Sequence, residues 1–226
     1  MQLSYNNVYA VYLLLSFCHG KTEPEIATKG SSNDMEKAVK TLLGERFLIV
    51  SRGVYAQPDY PQCVCSRLMS VSGLKYHHNL TYNDVDINVK PTFGKRVYRD
   101  TFYQVQRQNT ELLFLVHAYI GNRPEDNKIS GTFKVFYANK ECFVAGSAPS
   151  GAKSNFVGKT AISPTGNPAC LLWRRPHARE KHRRLCRAAF KKTCRNYGKY
   201  VFVFTRDACL KKFTKQSLPL GKMRTE

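Results

Sequence analysis

From residue 45 onward the chain is built of short runs in which apolar and polar residues tend to alternate, divided by Gly, Asn, Asp or Pro. These runs read as strands: ERFLIVSRGVY, CVCSRLMSVSG, LKYHHNLTY, KRVYRDTFYQVQ, LLFLVHAYI, GTFKVFYANKECFVAG, ACLLWRR and KYVFVFT. They are rich in Val, Tyr, Phe and Thr, which suit a pleated, half-buried surface. Two segments carry the helical period instead. Asp34 caps a short helix in which Met35, Val39, Leu42 and Leu43 share a face. EKHRRLCRAAFKKTC places Leu185, Ala189, Phe190 and Cys194 on one stripe, with Arg183, Arg184, Arg187, Lys191 and Lys192 mostly on the other. The expected class is all-β. About eight strands at short spacing form an up-and-down antiparallel barrel or a sandwich, with a short N-terminal helix and a C-terminal helix packed outside. A barrel of this size is wide enough to hold one small ligand.

The N-terminus has a different pattern. Val8 to Phe17, VYAVYLLLSF, is one apolar run, shorter than the roughly 20 residues that a bilayer span needs. It fits the core of a signal peptide, with small residues following at Cys18 and Gly20. No Lys or Arg precedes it, which is atypical, and a buried strand or helix is the rival reading. The expected organisation is a signal peptide over 1–20, a flexible leader over 21–33, one barrel domain over 34–213 and a basic tail over 214–226. No second run is long enough to span a membrane. The chain is therefore expected to be secreted and extracellular, and about 200 mature residues suit a single domain.

Cysteine usage agrees with export. Beyond the signal lie Cys63, Cys65, Cys142, Cys170, Cys186, Cys194 and Cys209, which read as a disulfide framework in an oxidising compartment. Zinc is the rival, but Cys63 and Cys65 form C-x-C rather than C-x-x-C, and His177 and His182 are badly spaced for one helix face. No metal site is expected. The odd number leaves one cysteine free or linking two chains of an otherwise monomeric protein. Asn79-Leu80-Thr81 is an acceptor sequence for N-glycosylation.

Charge adds a second theme. The chain has 36 Lys plus Arg against 16 Asp plus Glu, a formal net charge of +20. From Arg174 to the end the acids are only Glu180, Asp207 and Glu226. Such self-repulsion points to an anionic partner: a heparin-like glycan, anionic phospholipid or an acidic host protein of haemostasis or complement. Export argues against nucleic acid. The candidate contacts are Arg174, Arg175, Arg179, Arg183, Arg184, Arg187 and Lys191, and the plainer reading is a helix face kept basic for solubility. Enzyme motifs are missing. VGKT at Val157 to Thr160 lacks the correctly placed upstream glycine of a phosphate loop, and there is no nucleophile elbow, zincin motif or dinucleotide fingerprint. No catalysis and no cofactor are expected.

One family resemblance is specific. GTFKVFYANKECFVAG resembles the Tyr-rich strand and Cys of the tick histamine-binding salivary lipocalins. CLLWRR resembles that family's Cys-Glu-Leu-Trp strand. Cys186, Cys194 and KYVFVFTRDAC resemble its closing block, and DMEKAVKTLL with ERFLIVSRGVY matches its opening helix and first strand. The match extends over most of 34–209 and is strongest from about 131 to 209.

The resemblance implies a lipocalin barrel that sequesters a small host inflammatory mediator: histamine, serotonin or a leukotriene. It also implies a Cys142–Cys170 bridge between neighbouring strands. One of Cys63 and Cys65 should bond Cys209 and the other should reach the helix. Cys186 and Cys194 should not bond each other, because eight residues of helix rise about 12 Å and bridged Cα atoms sit about 4.4–6.8 Å apart. The chain departs from the family at two acids of the amine-binding motif. Phe143 follows Cys142, and Leu171 precedes Leu172-Trp173. A buried ammonium with no carboxylate is costly, so an eicosanoid or fatty-acid-like lipid fits at least as well unless Asp84, Asp86 or Asp100 substitutes. The candidate ligand contacts are Tyr103, Arg107, His117, Tyr119, Tyr137, Phe143, Leu171 and Trp173.

Overall fold

A computed structural model describes residues 31–85, 94–121, 124–147, 168–205 and Cys209. The expected signal peptide, most of the leader, VGKT and the basic tail lie outside the described residues. The elements run α1 (Ser32–Leu43), β1 (Phe47–Tyr55), β2 (Gln62–Ser72), β3 (Lys75–Asp84), β4 (Lys95–Gln108), β5 (Glu111–Tyr119), β6 (Gly131–Asn139), β7 (Cys142–Ser147), β8 (Ala169–Arg174), α2 (Glu180–Cys194) and β9 (Tyr200–Val203). Strands β1 to β8 pair antiparallel, each with the next, and β1 also pairs with β8. The sheet thereby closes into an eight-stranded antiparallel barrel with one helix packed outside. Closure removes the exposed edges that an open sheet would present. β9 pairs with Arg52 to Tyr55 of β1, beyond the stretch Phe47 to Ile49 that pairs with β2.

The eight strands are not quite the eight runs read from the sequence. GTFKVFYANKECFVAG is two strands, β6 and β7, and KYVFVFT supplies β9 rather than a barrel stave. The break was hidden because no glycine marks it. Asn139 makes the turn instead, its Oδ1 accepting from the backbone N–H groups of Glu141 (2.9 Å) and Cys142 (3.1 Å). The first helix also starts earlier than expected. Its cap is Ser31, whose hydroxyl accepts from Asn33 N, while Asp34 sits in the first turn, where its charge favours the helix dipole.

The two ends of the barrel differ. β2–β3, β4–β5 and β6–β7 are joined by two-residue turns at 73–74, 109–110 and 140–141. Gly73 and Asn109 take positive φ there, a conformation open to Gly and tolerated by Asn. The helix α1 enters β1 at this end and packs against β4, β6 and β7. At the opposite end the connections are longer: 56–61, 85–94, 120–130 and 148–168.

A bulge at Ser51 shifts the register of β1 on β8. Before it Leu48 and Val50 join the interior; after it Tyr55 does, and Val54 turns outward under α2. One extra residue thus changes which parity faces inward. The interior cluster includes Val39, Leu42 and Leu43 of α1 together with side chains from all eight barrel strands. A second cluster lies under α2, where Cys186, Phe190 and Cys194 meet Val144, Cys170 and Leu172. Leu185, expected in the apolar stripe, is only half-buried; the helix is rotated so that its cysteines face the barrel.

That rotation corrects the disulfide expectation. The bonds are Cys63–Cys209, Cys142–Cys186 and Cys170–Cys194. Cys142 does not bond Cys170, because Cys170 stands opposite Gly146, four residues along β7 from Cys142. Four residues of strand span about 13 Å, which matches the roughly 12 Å rise between Cys186 and Cys194. Two strand cysteines and two helix cysteines are therefore in register, with Cα separations of 6.4 and 5.5 Å. Cys63 takes Cys209 as its partner, as expected for one of the C-x-C pair. Cys65 does not reach the helix, which packs over β6, β7 and β8 away from β2. Among the described residues Cys65 is the unpaired cysteine; it is buried, and burial pushes its thiol pKa up.

Candidate functional site

The deep part of the barrel is an aromatic wall. Trp173 stacks on Phe143 with ring centroids 6.0 Å apart, and Phe114 meets both edge-on. Tyr103 lies 5.2 Å from Phe114 and 6.1 Å from Trp173. The inward parity of β7 and β8 puts Phe143, Leu171 and Trp173 here. One polar chain crosses this wall. Ser66 Oγ is 2.9 Å from both Tyr103 Oη and His78 Nδ1, and His78 Nε2 is 2.9 Å from the Leu43 carbonyl. A carbonyl can only accept, so Nε2 carries the proton, Nδ1 accepts from Ser66, and Ser66 accepts from Tyr103. Every group in the chain is satisfied with the imidazole neutral. Burial accordingly pulls the His78 pKa down to about 4.

At the end with the longer connections the interior becomes a tyrosine cluster. Tyr55, the last residue of β1, stacks on Tyr60 of the following loop at 4.2 Å. Gly53 makes room for the Tyr55 ring: a Cβ there would lie 2.0 Å from the Tyr55 hydroxyl oxygen. Tyr82 donates to Asp126 Oδ2, which also takes Arg99 Nε, while Asp126 Oδ1 accepts from Lys128 N at 3.0 Å. The Arg99 guanidinium lies 5.3 Å from the Tyr82 ring centroid. Burial, and then the neighbouring Tyr55, Tyr82, Tyr103 and Asp126, hold the Tyr60 hydroxyl in its neutral form. Among the described residues three buried polar atoms of this interior have no hydrogen-bond partner: Tyr55 Oη, Tyr60 Oη and Trp173 Nε1. Most buried polar groups in proteins are paired, and one left unpaired costs about 1–3 kcal/mol.

The residues picked from the sequence divide between inside and outside. Tyr103, Phe143, Leu171 and Trp173 come together in the interior. Arg107 reaches back to α1, donating to Glu36 and Asn33 at 2.9 Å each. His117 and Tyr119 face outward and line an open surface groove with Lys75, Asp100, Phe102 and Glu125. Tyr137 packs in the outer cluster under α2. Tyr55, Tyr60, Tyr82, Arg99, Asp126 and His78 were missed. Tyr60 and Asp126 are loop residues that alternation cannot place. Tyr55 lies beyond the bulge, which reverses the inward parity of its strand. Of the candidate substitute acids, Asp84 shares the parity of inward-facing Tyr82 at the end of β3 and pairs with Lys128, whereas Asp100 pairs with His77 on the outer face; Asp86 lies outside the described residues. Asn79 is half-buried on β3, between Arg67 and Asp100 in the sheet.

Much of the basic segment around α2 is internally paired. Arg175 bonds Glu45, Arg179 bonds Glu141, and Arg183 and Arg187 both meet Glu180. Arg174 donates to the carbonyls of Arg175 and Pro176 at 2.7 Å each. Arg184 and Lys191 have no ion pair among the described residues and are exposed. No group of His, Cys, Asp and Glu among the described residues could hold a metal ion. No helix there is long and apolar enough to cross a membrane.

No protein-family model matches the chain, and no curated protein matches it. Among solved structures it is similar to Japanin from Rhipicephalus appendiculatus bound to cholesterol, with 12% identity over 73% of this chain and 94% of that one, at a TM-score of 0.44. It is also similar to apocrustacyanin C2, with 13% identity over 71% of this chain and 77% of that one, at a TM-score of 0.42. Lobster apocrustacyanin A1 gives 13% identity over the same shares, at a TM-score of 0.41.

Proposed function

We propose that this chain is an exported barrel protein that sequesters a small, mainly apolar mediator carrying a hydrogen-bond acceptor. The observation that carries the reading is the set of orphaned polar atoms, Tyr55 Oη, Tyr60 Oη and Trp173 Nε1, in an otherwise apolar, aromatic interior. An indole N–H can only donate and a phenol donates readily, so the complementary ligand group is a hydroxyl, carbonyl or carboxyl oxygen. Small-molecule sites in general combine apolar walls with a few placed polar groups, and these residues supply both. Export rests on the three disulfides, which persist in oxidising compartments.

A biogenic amine fits less well. Phe143 and Leu171, at the two positions where the amine binders carry acids, are buried apolar walls. The carboxylate of Asp126 is already shared by Arg99, Tyr82 and Lys128 N. An ammonium would have to displace a guanidinium to reach it.

Trp173 is the only tryptophan in the chain, so its fluorescence reports on the interior alone. Titration with a leukotriene, arachidonate or cholesterol is expected to change that emission and saturate at one equivalent. Histamine and serotonin are expected to bind at least tenfold more weakly. Sub-micromolar histamine binding with no response to any lipid overturns the reading.

A further inference from the structure

Four arginines from three elements converge on one small cavity on the outside of the barrel. Arg52 of β1 stands opposite Leu172 of β8, and Arg174 lies two residues along β8 on the same outer face. From above, Arg183 and Arg187 descend from α2, one turn apart on the same side of the helix. Together with Ser51 and Phe204 they line a cavity of about 70 Å³. That is the share of about two water molecules at roughly 30 Å³ each, room for one compact polar group.

The charge balance around this cavity is uneven. Among the described residues Glu180 is the one acid that pairs with these arginines, meeting Arg183 and Arg187. Arg52 has no ion pair among the described residues, and Arg174 holds only backbone carbonyls. Burial, and then the charges of Arg183 and Arg187, pull the Arg174 pKa down against the opposing pull of Glu180, so Arg174, Arg183 and Arg187 are close enough to oppose one another. The disulfide Cys142–Cys186 anchors α2 beside them, Cys186 being part of the cavity wall. The bridge fixes the backbone of α2 over the barrel, so all four arginine side chains stay within reach of one cavity.

We propose that this cavity is a binding site for a single tetrahedral oxyanion, a sulfate or phosphate group, held by Arg52, Arg174, Arg183 and Arg187. The planar fork of arginine donors suits such oxygens, and an anion converts the mutual repulsion into attraction. This site is separate from the barrel interior and stands or falls independently of the ligand proposed there. It also differs from a general basic surface. Exposed Arg184 and Lys191 lie outside the cavity lining, and Arg52, far from the basic segment in sequence, belongs to it.

The test is calorimetric titration and thermal unfolding of the full secreted chain with sodium sulfate or sodium phosphate, against sodium chloride at matched ionic strength. The expected result is saturable, one-to-one binding and a rise in Tm with sulfate, phosphate or both, but not with chloride. A size-defined sulfated oligosaccharide that competes with inorganic sulfate assigns the source to a glycan; preference for inorganic phosphate assigns it to a phosphate group. Arg52→Ser should weaken binding at least tenfold. Glu180→Gln, an exposed change that keeps the fold, should tighten it several-fold by releasing Arg183 and Arg187. Arg184→Ser should leave inorganic sulfate binding unchanged. Equal responses to sulfate, phosphate and chloride overturn the proposal, as does a folded Arg52→Ser protein that binds like the parent or a Glu180→Gln protein that binds no tighter.

Discussion

His78 Nε2 donates a 2.9 Å hydrogen bond to the carbonyl oxygen of Leu43, so a barrel strand holds the last turn of the helix that covers one end of the barrel. Leu43 is at the C-terminal end of α1, where helix carbonyls lack partners of their own. The bond requires the Nε2–H tautomer, and the neutral ring requires Ser66 at Nδ1.

A pH dependence follows from this pairing. The folded-state pKa of His78 is lowered to about 4, below the ordinary value near 6.5. Between these limits the unfolded chain binds the proton and the folded chain does not. The contribution is fully present above about pH 6.5 and is lost as the pH falls toward 4, by roughly 3 kcal/mol at most. Denaturant melts from pH 4 to 7 should show that decline. A His78→Gln variant should be less stable at pH 7 and should lose this part of the slope; an unchanged slope would remove His78 as its source.

The two bridges that hold α2 to the barrel should be recovered as Cys142–Cys186 and Cys170–Cys194 by non-reducing peptide mapping. Replacing Cys170 and Cys194 together with Ser should cost about 2–5 kcal/mol. Recovery of a Cys142–Cys170 peptide would contradict the register of β7 on β8.

Gly53 is expected to be intolerant of a side chain. A Cβ there would meet the Tyr55 ring at 2.0 Å from its hydroxyl oxygen, and that ring is enclosed by its stack on Tyr60. Gly53→Ala should destabilise by about 1–3 kcal/mol through overpacking. It should also weaken lipid binding read from Trp173 emission, because it moves a proposed donor. Parental stability and parental affinity together would show that Tyr55 relaxes freely.

Asp126 and Arg99 form a largely buried pair, with side-chain exposures of 6% and 13%. Asp126→Ala should cost about 3 kcal/mol, since it strands the guanidinium beside Tyr82. The double change Asp126→Ala with Arg99→Met should recover most of that loss. If the double variant is as unstable as the sum of the single ones, the two residues are not coupled.

Cys65 should not link two chains. Its thiol is only 2% exposed, out of reach of another molecule while the barrel is closed. Non-reducing electrophoresis of the folded protein should show no Cys65-dependent dimer, and a thiol reagent should label Cys65 only after unfolding. Rapid labelling at neutral pH in native buffer would refute this.

Local pattern by itself determined the strand-rich class and both helices, but it named Tyr103 on the same footing as Arg107, His117, Tyr119 and Tyr137, and only the closed barrel separates the first, which is inside, from the rest, which are not. Alternation along a strand and the 3.6-residue period of a helix are properties of neighbouring residues, and burial writes them directly into the chain. Tertiary structure decided the rest. The turn at Asn139 depends on a side chain bonding two backbone N–H groups, with no glycine to mark it. The parity of Tyr55 depends on a bulge at Ser51, and the partner of Cys142 depends on how β7, β8 and α2 are aligned. Arg52 meets Arg174, Arg183 and Arg187 only because the barrel closes and the helix docks over its seam. Such juxtapositions are fixed by register and docking between segments distant in sequence, and no single segment carries that information.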